Sequence, residues 1–423
     1  MTHMNTSRFA VATVLIALFA APSPADNWPR FRGPNGSGVS DIAIPAQWDE
    51  KTIAWRIDLP GKGHGSPVVW GKRVFLNDAS DDGSERRLMC IDGDSGKVLW
   101  TKTYKSAKHD KHRNNSFASV TPAVDATRVV TSWADGGRIM VVALDHDGKE
   151  LWDRDAGPVV GDHGFGVSPT LVGDLLVLPN DQNGKSSLLG LDANTGETRW
   201  TVPRKSKRMT YSVPCVFEPN GGASQLIFSN WEHGVTSVDP KTGNVNWELD
   251  VFGKPSPERA IGSPIVAGDL VIANCGFFSK ARHVVAIRPS DPPRLAEAKE
   301  VWRVERNVPH VPTVLVKDEL VYMCDDGGVL NVVKLATGEE VYKQRLEGVK
   351  GKVYSSAVAA GETIFIITTE GQVYAVATGD TFKLLGTYAL EDNCQSTPAI
   401  ANGAMYVRTL TLLLCVRGSQ RQN

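Results

Sequence analysis

Eight side chains that could take part in chemistry occupy comparable positions along the chain, each shortly before a recurring proline that Ala357 replaces in one unit. Imidazole, phenol and guanidinium groups can bind anions, move protons or line a ligand pocket. We predict no catalytic or metal site from them, because the three histidines fall in the first, third and sixth of eight sequence units, too far apart for one zinc ion. Ser119 is the eighth side chain, and the other seven are candidate funnel residues for ligand binding: His64, His163, Tyr211, Arg259, His310, Tyr354 and Gln395. The alternative is that they only cap strand ends around a solvated channel.

Two alternating patterns define the units that must position these side chains. One contains the proline, as in HGSPVVWGKRVFL and IGSPIVAGDLVIA, and returns every 41 to 55 residues. The other reads Asp-x-x-Thr-Gly and ends in an aromatic residue, as in GLDANTGETRW and SVDPKTGNVNW. We predict that the repeated indoles pack between units with their N–H groups bonded. These structural tryptophans are Trp55, Trp100, Trp152, Trp200, Trp247 and Trp302.

Each unit is predicted to form four antiparallel strands, A to D. Gly-Lys, Gly-Asp and Asn-Gly pairs favour tight hairpins between strands A and B. The Thr-Gly turn then separates strand C from strand D. Repeated four-stranded units of 40 to 50 residues are typical of propeller blades. The predicted fold class is therefore all-β, an eight-bladed β-propeller of four-stranded antiparallel blades spanning 52–418.

The two ends of the repeat are complementary. The eighth unit stops after strand C, whereas TIAWRIDL, at residues 52–59, is an isolated strand D with its tryptophan in place. We therefore predict that the N-terminal strand closes the last blade. Residues 26–51 form an irregular lead-in that crosses the ring, and their GPNGSG stretch lacks the Lys-Ser/Thr and the strand-to-helix context of a phosphate loop.

Residues 1–25 have the order of a secretory signal peptide: Arg8, an apolar run, and a small-residue cleavage site. The protein is therefore expected to be exported, and either periplasmic or secreted. The net charge of −1 gives no support for nucleic-acid binding, and no later segment is apolar enough to span a membrane. Six single cysteines suggest no disulfide framework. We expect a monomer with a short tail at 419–423.

One face of the predicted ring carries the D–A and B–C loops. The D–A segments include KTYKSAKHDKHR and RKSKR, whereas a B–C loop reads DASDDGSE. The balance predicts a mildly cationic funnel face, suited to an anionic small molecule, an acidic glycan or an acidic protein segment.

The Asp-x-x-Thr-Gly-x-x-x-Trp pattern resembles the pyrroloquinoline-quinone (PQQ) type repeat, and it lacks the Gly-His and Trp-Asp marks of WD40 blades. The resemblance covers nearly all of the chain after the leader, most strongly in the first five units. It implies either a quinoprotein dehydrogenase, with PQQ and calcium in the funnel, or an exported non-catalytic propeller similar to the propeller subunit of the outer-membrane assembly machinery. The dehydrogenases carry adjacent cysteines and a Glu/Asn/Asp calcium set, which this sequence does not match at the candidate positions.

We therefore expect an exported binding or scaffold module with no cofactor. PQQ-dependent catalysis and a glycan- or polyanion-binding module are the alternatives. The expected partner is a protein, an anionic small molecule or a glycan at the funnel face.

Overall fold

The computed structural model describes residues 27–161, 163–253, 259–276, 282–290 and 297–418. Within these ranges the chain forms eight sheets around a central channel, and one 3-10 turn at Pro34–Gly36. Each sheet contains four antiparallel strands, and one of them gains a fifth, short strand at Val39–Ser40 that pairs parallel with Val358–Ala360. The predicted fold class, an all-β eight-bladed propeller, is confirmed. The predicted signal peptide and C-terminal tail lie outside the described residues.

The first four blades each contain four consecutive strands. Strands β1 (Val39–Ser40) and β2 (Ile53–Asp58) precede them and belong to other blades. Blade 1 contains β3 (Val68–Trp70), β4 (Arg73–Ala79), β5 (Glu85–Asp92) and β6 (Val98–Lys105). Blade 2 contains β7 (Ala123–Val124), β8 (Val129–Asp135), β9 (Arg138–Leu144) and β10 (Glu150–Pro158). Blade 3 contains β11 (Thr170–Val172), β12 (Leu175–Asn180), β13 (Ser186–Asp192) and β14 (Thr198–Arg204). Blade 4 contains β15 (Cys215–Phe217), β16 (Gln225–Asn230), β17 (Gly234–Val238) and β18 (Val245–Leu249).

The remaining blades repeat this plan until the ring closes. Blade 5 contains β19 (Ile265–Ala267), β20 (Leu270–Gly276), β21 (Arg282–Arg288) and β22 (Lys299–Val304). Blade 6 contains β23 (Leu315–Lys317), β24 (Leu320–Cys324), β25 (Val329–Lys334) and β26 (Glu340–Arg345). Blade 7 contains β27 (Val358–Ala360), β28 (Thr363–Ile367), β29 (Gln372–Ala377) and β30 (Leu384–Ala389). Blade 8 contains β31 (Ala399–Ala401), β32 (Ala404–Arg408) and β33 (Leu412–Arg417).

The N-terminal strand completes blade 8, as predicted. Strand β2 pairs antiparallel with β33, with Ile57 opposite Leu413 and Asp58 opposite Leu412. One hydrophobic core then runs from the lead-in residues Trp28 and Trp48 into blades 1, 7 and 8. The closing strand therefore joins the two ends of the chain in one packed unit.

Each repeated tryptophan from blades 1, 2, 3, 5 and 8 reaches the C–D turn of the following blade. The indole of Trp200 donates to Pro240 O at 2.9 Å, and its ring lies against Gly243, which has a φ of 75°. A Cβ at Gly243 would lie 2.8 Å from this ring, which explains why the turn needs glycine. Trp247 differs, because its N–H donates to Gln225 Oε1 within its own blade at 2.8 Å.

A second set of contacts between blades lies at the channel. The main-chain N–H of Ser66 donates to Thr121 Oγ1 at 3.0 Å, and the N–H of Thr121 donates to Ser168 Oγ at 2.9 Å. The series ends where it began, because the N–H of Thr397 donates to Ser66 Oγ at 2.9 Å. Only blade 4 interrupts it, since Val213 has no hydroxyl at this position. The Ser/Thr that precedes strand A thus links neighbouring blades.

Candidate functional site

The central funnel encloses a cavity of about 380 Å³. Its wall is built from the segments that lead into the A strands, one from each blade. Because these segments converge on the ring axis, side chains more than 300 residues apart in sequence share one space. All seven candidate residues line it: His64, His163, Tyr211, Arg259, His310, Tyr354 and Gln395. The structure brings them together, whereas their role in ligand binding remains a prediction.

The lead-in closes one end of this cavity. Phe31 lines the floor, and the neighbouring Arg32 is fully buried beneath the channel. The Arg32 guanidinium donates to Val314 O at 3.0 Å and Ala357 O at 2.7 Å, in blades 6 and 7. Burial lowers the pKa of Arg32 to about 9, so the group is still charged at neutral pH. Among the described residues, the lead-in therefore covers one end of the funnel, and we call this end the floor.

The unusual backbone of the lead-in is what makes this floor compact. Arg32 and Asn35 have φ values of 63° and 49°, and the glycines at 33, 36 and 38 are also left-handed. A Cβ at Gly33 would lie 2.5 Å from the Trp28 ring, and one at Gly38 would lie 2.4 Å from the Arg32 guanidinium. The glycine-rich stretch therefore serves close packing beneath the ring.

The loop before blade 2 partly covers the open end, and we call residues 106–118 the strap. Its His112 ring stacks on His163 with centroids 4.8 Å apart, and Asn115 Nδ2 donates to His163 O at 2.7 Å. Its Asn114 Nδ2 lies 3.4 Å from Tyr354 Oη, across the ring in blade 7. The strap therefore connects the blade 3 and blade 7 sides of the mouth.

The blade 5 side of the wall carries a buried cation. Arg259 is 3% exposed, and its Nη2 donates to His163 Nδ1 at 3.0 Å. Because a guanidinium can only donate, His163 Nδ1 accepts, and the neutral ring carries its proton on Nε2. Arg259 and His163 therefore form a hydrogen-bonded pair in the cavity wall.

Two further histidines in the wall differ in environment. His310 is buried, and its Nδ1 lies 3.4 Å from Asp326 Oδ2. Burial favours the protonated acid, but the His310 side chain and the N–H groups of His310 and Val311 lower the pKa of Asp326. For His64, burial, together with the charges of Arg408 and Lys111, lowers the pKa to about 3. His64 is therefore neutral at physiological pH.

Two loops on this face are rich in basic side chains, at residues 106–113 and 205–208. Lys105 and Arg204, which precede these loops, lie inside β6 and β14. That the funnel face as a whole is mildly cationic stays a prediction.

The donor set in the described part of the funnel wall is not the set that a calcium-bound quinone needs. Calcium takes six to eight oxygen ligands, usually including several carboxylates. No Asp or Glu lines the part of the cavity wall that the structure describes. Nor do the described residues contain any cluster of three or more His, Cys, Asp or Glu side chains that could hold a metal ion.

Several wall residues were not predicted from the sequence. Phe31, His112, Asn114 and Asn115 line the cavity, but they lie outside the segment just before each repeated proline. The length of the loop before blade 2 was the only available signal for the strap. The role of Phe31 depends on a long-range contact that the repeat does not encode.

Comparison with known proteins identifies the family. A family model described as outer membrane protein assembly factor BamB matches residues 46–121 and 84–325. The curated BamB of Bordetella pertussis is 24% identical over 337 residues, which cover 77% of this chain and 76% of that protein. Within the described residues, the longest helix falls well short of what a membrane crossing requires.

Two solved structures share the fold. BamB from Moraxella catarrhalis superposes with a TM-score of 0.61 at 13% identity, covering 88% of this chain and 99% of that one. A europium-containing methanol dehydrogenase gives a TM-score of 0.62 at 12% identity, covering 92% and 91%. These likenesses bear on the fold alone, since both enzyme and assembly factor share it. The family model spans more than half of the sequence, and the chain therefore belongs to the BamB family of PQQ-like propellers.

Proposed function

We propose that this protein is an exported, non-catalytic scaffold that takes part in outer membrane protein assembly by binding a protein partner. The observation that carries the proposal is the family-model match over residues 46–325. The curated relative is named as an assembly factor, and it aligns over three quarters of both chains. Export is supported by the leader-like order of residues 1–25. We further propose that the protein acts as a monomer.

We also propose that the protein works without PQQ. The described cavity wall offers imidazole, phenol, amide and guanidinium groups where calcium needs carboxylates. A quinoprotein also needs a base to take the substrate proton, and an Asp or Glu with an open path to the cavity would supply it. Asp326 stands behind His310 and is buried.

For the partner surface we propose the two basic loops. Lys108 and Arg113 in the strap are exposed, as are Lys205 and Lys207 before blade 4. Only Lys207 has an acidic neighbour at ion-pair distance among the described residues, Glu232 at 3.8 Å. Exposed cations on two loops of the same face attract an acidic surface and orient its approach. The partner is therefore expected to present an acidic patch.

Site-specific photo-crosslinking in the cell envelope tests this proposal. A photoreactive side chain at position 108 or 205 is expected to crosslink to a component of the outer-membrane assembly machinery. Raising the ionic strength is expected to reduce the yield, because exposed charges are screened. The matched controls are positions 72 and 241, exposed lysines on the opposite face of the ring.

The proposal fails if the two faces give equal yields, or if neither face reaches that machinery. Crosslinks from positions 72 and 241 alone would move the partner surface to the other side of the propeller. Thermal melting of each labelled variant checks that the label leaves the fold intact.

A further inference from the structure

A histidine holds one end of the basic loop at residues 205–208. The main-chain N–H of Lys205 donates to His233 Nε2 at 3.0 Å, and the other ring nitrogen, Nδ1, lies 2.9 Å from Glu248 Oε2. An imidazole nitrogen that accepts a hydrogen bond carries no proton, so the neutral ring donates to the carboxylate through Nδ1–H. We propose that His233 is a pH-sensitive latch, which attaches this loop when its ring is neutral and releases the loop when the ring is doubly protonated.

A second proton reverses the role of the nitrogen that faces the loop. Both ring nitrogens of an imidazolium are donors, so Nε2–H of His233 would point at the N–H of Lys205. Two donors cannot bond to each other, and the Lys205 N–H loses its acceptor. The attached loop thus favours the neutral ring, and by linkage a falling pH favours the released loop. Imidazole changes its charge between pH 5 and 8, so the latch works in that range.

The surroundings of the ring allow it to gain this proton. The side chain of His233 is 17% exposed, so solvent reaches it. The carboxylate beside Nδ1 stabilises the charged ring, and it is itself held by Arg204, whose Nη1 lies 3.6 Å from the same Glu248 oxygen. The charged side chains around the latch are Glu248, Arg204, Asp181, Glu232 and Lys207.

The latch controls the start of the loop. The loop is attached again at Met209, whose N–H donates to Asn183 Oδ1 at 3.0 Å. Release at Lys205 therefore loosens the part that carries Lys205 and Lys207, and a loosened loop must be ordered again when a partner binds, which weakens binding. The charge that the ring gains adds little attraction for an acidic partner, because the neighbouring carboxylate offsets it. This regulatory role rests on the proposed function of the loop, whereas the latch itself does not.

Hydrogen–deuterium exchange of the full chain tests the latch. Mass spectrometry follows peptides that cover residues 204–209 at pH 7.5 and pH 5.5, with labelling times scaled for the intrinsic pH dependence of exchange. We expect the protection of this segment to fall about fivefold at the lower pH, the factor that one hydrogen bond supplies. His233→Gln offers an acceptor that does not titrate, so the protection in this variant is expected to be the same at both pH values.

The loop at residues 347–353 is the matched control in the same sample. It also leads from a strand D into a strand A, but its N–H groups at Lys350 and Lys352 donate to Gln372 Oε1 at 2.7 Å and Thr369 Oγ1 at 2.9 Å, which do not titrate in this range. Its protection is expected to stay constant. Equal protection of residues 204–209 at both pH values would overturn the latch, and so would a loss that the control loop shares or that persists in His233→Gln.

Photo-crosslinking separates the latch from the proposed function. A photoreactive side chain at position 205 leaves the main-chain N–H of that residue in place. In cell envelopes buffered at pH 5.5 the crosslinking yield is expected to be lower than at pH 7.5, and His233→Gln is expected to remove the difference. If position 205 gives no crosslink at either pH, the proposed partner surface and the regulatory role fail, while the exchange result decides the latch. Crosslinking with no pH dependence in exchange overturns the latch alone.

Discussion

A variant that lacks residues 27–60 is expected to show no cooperative thermal unfolding near the temperature of the full-length protein. The deletion removes strand β2 and leaves the edge of β33 unpaired. It also removes the buried side chains of Trp28, Trp48 and Leu59 from the largest core cluster. Each buried tryptophan is worth about 3–5 kcal/mol, and a whole domain is stable by only about 5–15 kcal/mol.

A circular permutant provides the matched control. It begins at residue 61 and carries residues 27–60 after residue 418, joined by a short linker. The linker runs from residue 418 in blade 8 to residue 27. Asn27 Oδ1 accepts from the Gly71 N–H at 2.8 Å, and Gly71 O accepts from Asn402 of blade 8 at 2.5 Å, so residue 27 lies at the boundary of blades 1 and 8. The permutant is expected to melt within a few degrees of the natural chain. Calorimetry on the three proteins gives the answer, and a deletion variant that melts normally would show that the ring does not depend on this closure.

The second large effect is expected for Trp200→Ala, which should lower the free energy of unfolding by about 3–5 kcal/mol. The indole is 7% exposed, donates to Pro240 O in the next blade, and covers the Gly243 turn. Removing the indole leaves a cavity between blades 3 and 4, and Pro240 O loses its hydrogen-bond donor. Urea unfolding followed by circular dichroism measures the change.

The glycine turn of blade 4, at Gly243, provides a second test of the contact between Trp200 and the next blade. Gly243→Ala adds a methyl group 2.8 Å from the Trp200 ring, in addition to the left-handed strain at a φ of 75°. Gly268→Ala carries similar strain at a φ of 60° but meets no atom within 4 Å, so it should cost only about 1–2 kcal/mol. Equal costs for the two glycine variants, or a Trp200→Ala protein of normal stability, would contradict the packing between blades.

The repeat made the architecture predictable. The Asp-x-x-Thr-Gly-x-x-x-Trp pattern carries its own turn, strand and contact residue, so each blade could be found from local sequence. The single strand D at residues 52–59 predicted how the ring closes. The last unit lacks its strand D, so the strand at the start of the chain could complete that blade. The residues of the funnel were found for the same reason: a position that faces the axis in one blade faces it in all.

Contacts between segments that are far apart in the sequence could not be predicted. Arg32 binds carbonyls of blades 6 and 7, and nothing in the repeat indicates that a lead-in arginine would lie beneath the channel. The strap is similar, because Asn114 meets Tyr354 only after the ring has closed. Both features depend on tertiary contacts that occur once and are not part of the sequence repeat.

The most direct test of whether this propeller is a binding scaffold or a quinoprotein enzyme is calorimetric titration with PQQ, with and without calcium, alongside a dye-reduction assay on alcohols and sugars. We expect no calcium-dependent binding and no turnover, because the described funnel wall lacks the carboxylates that would hold the metal. Weak, salt-sensitive binding that does not depend on calcium and gives no dye reduction would agree with a binding scaffold. Tight, calcium-dependent binding with dye reduction would contradict the account and make the protein a dehydrogenase.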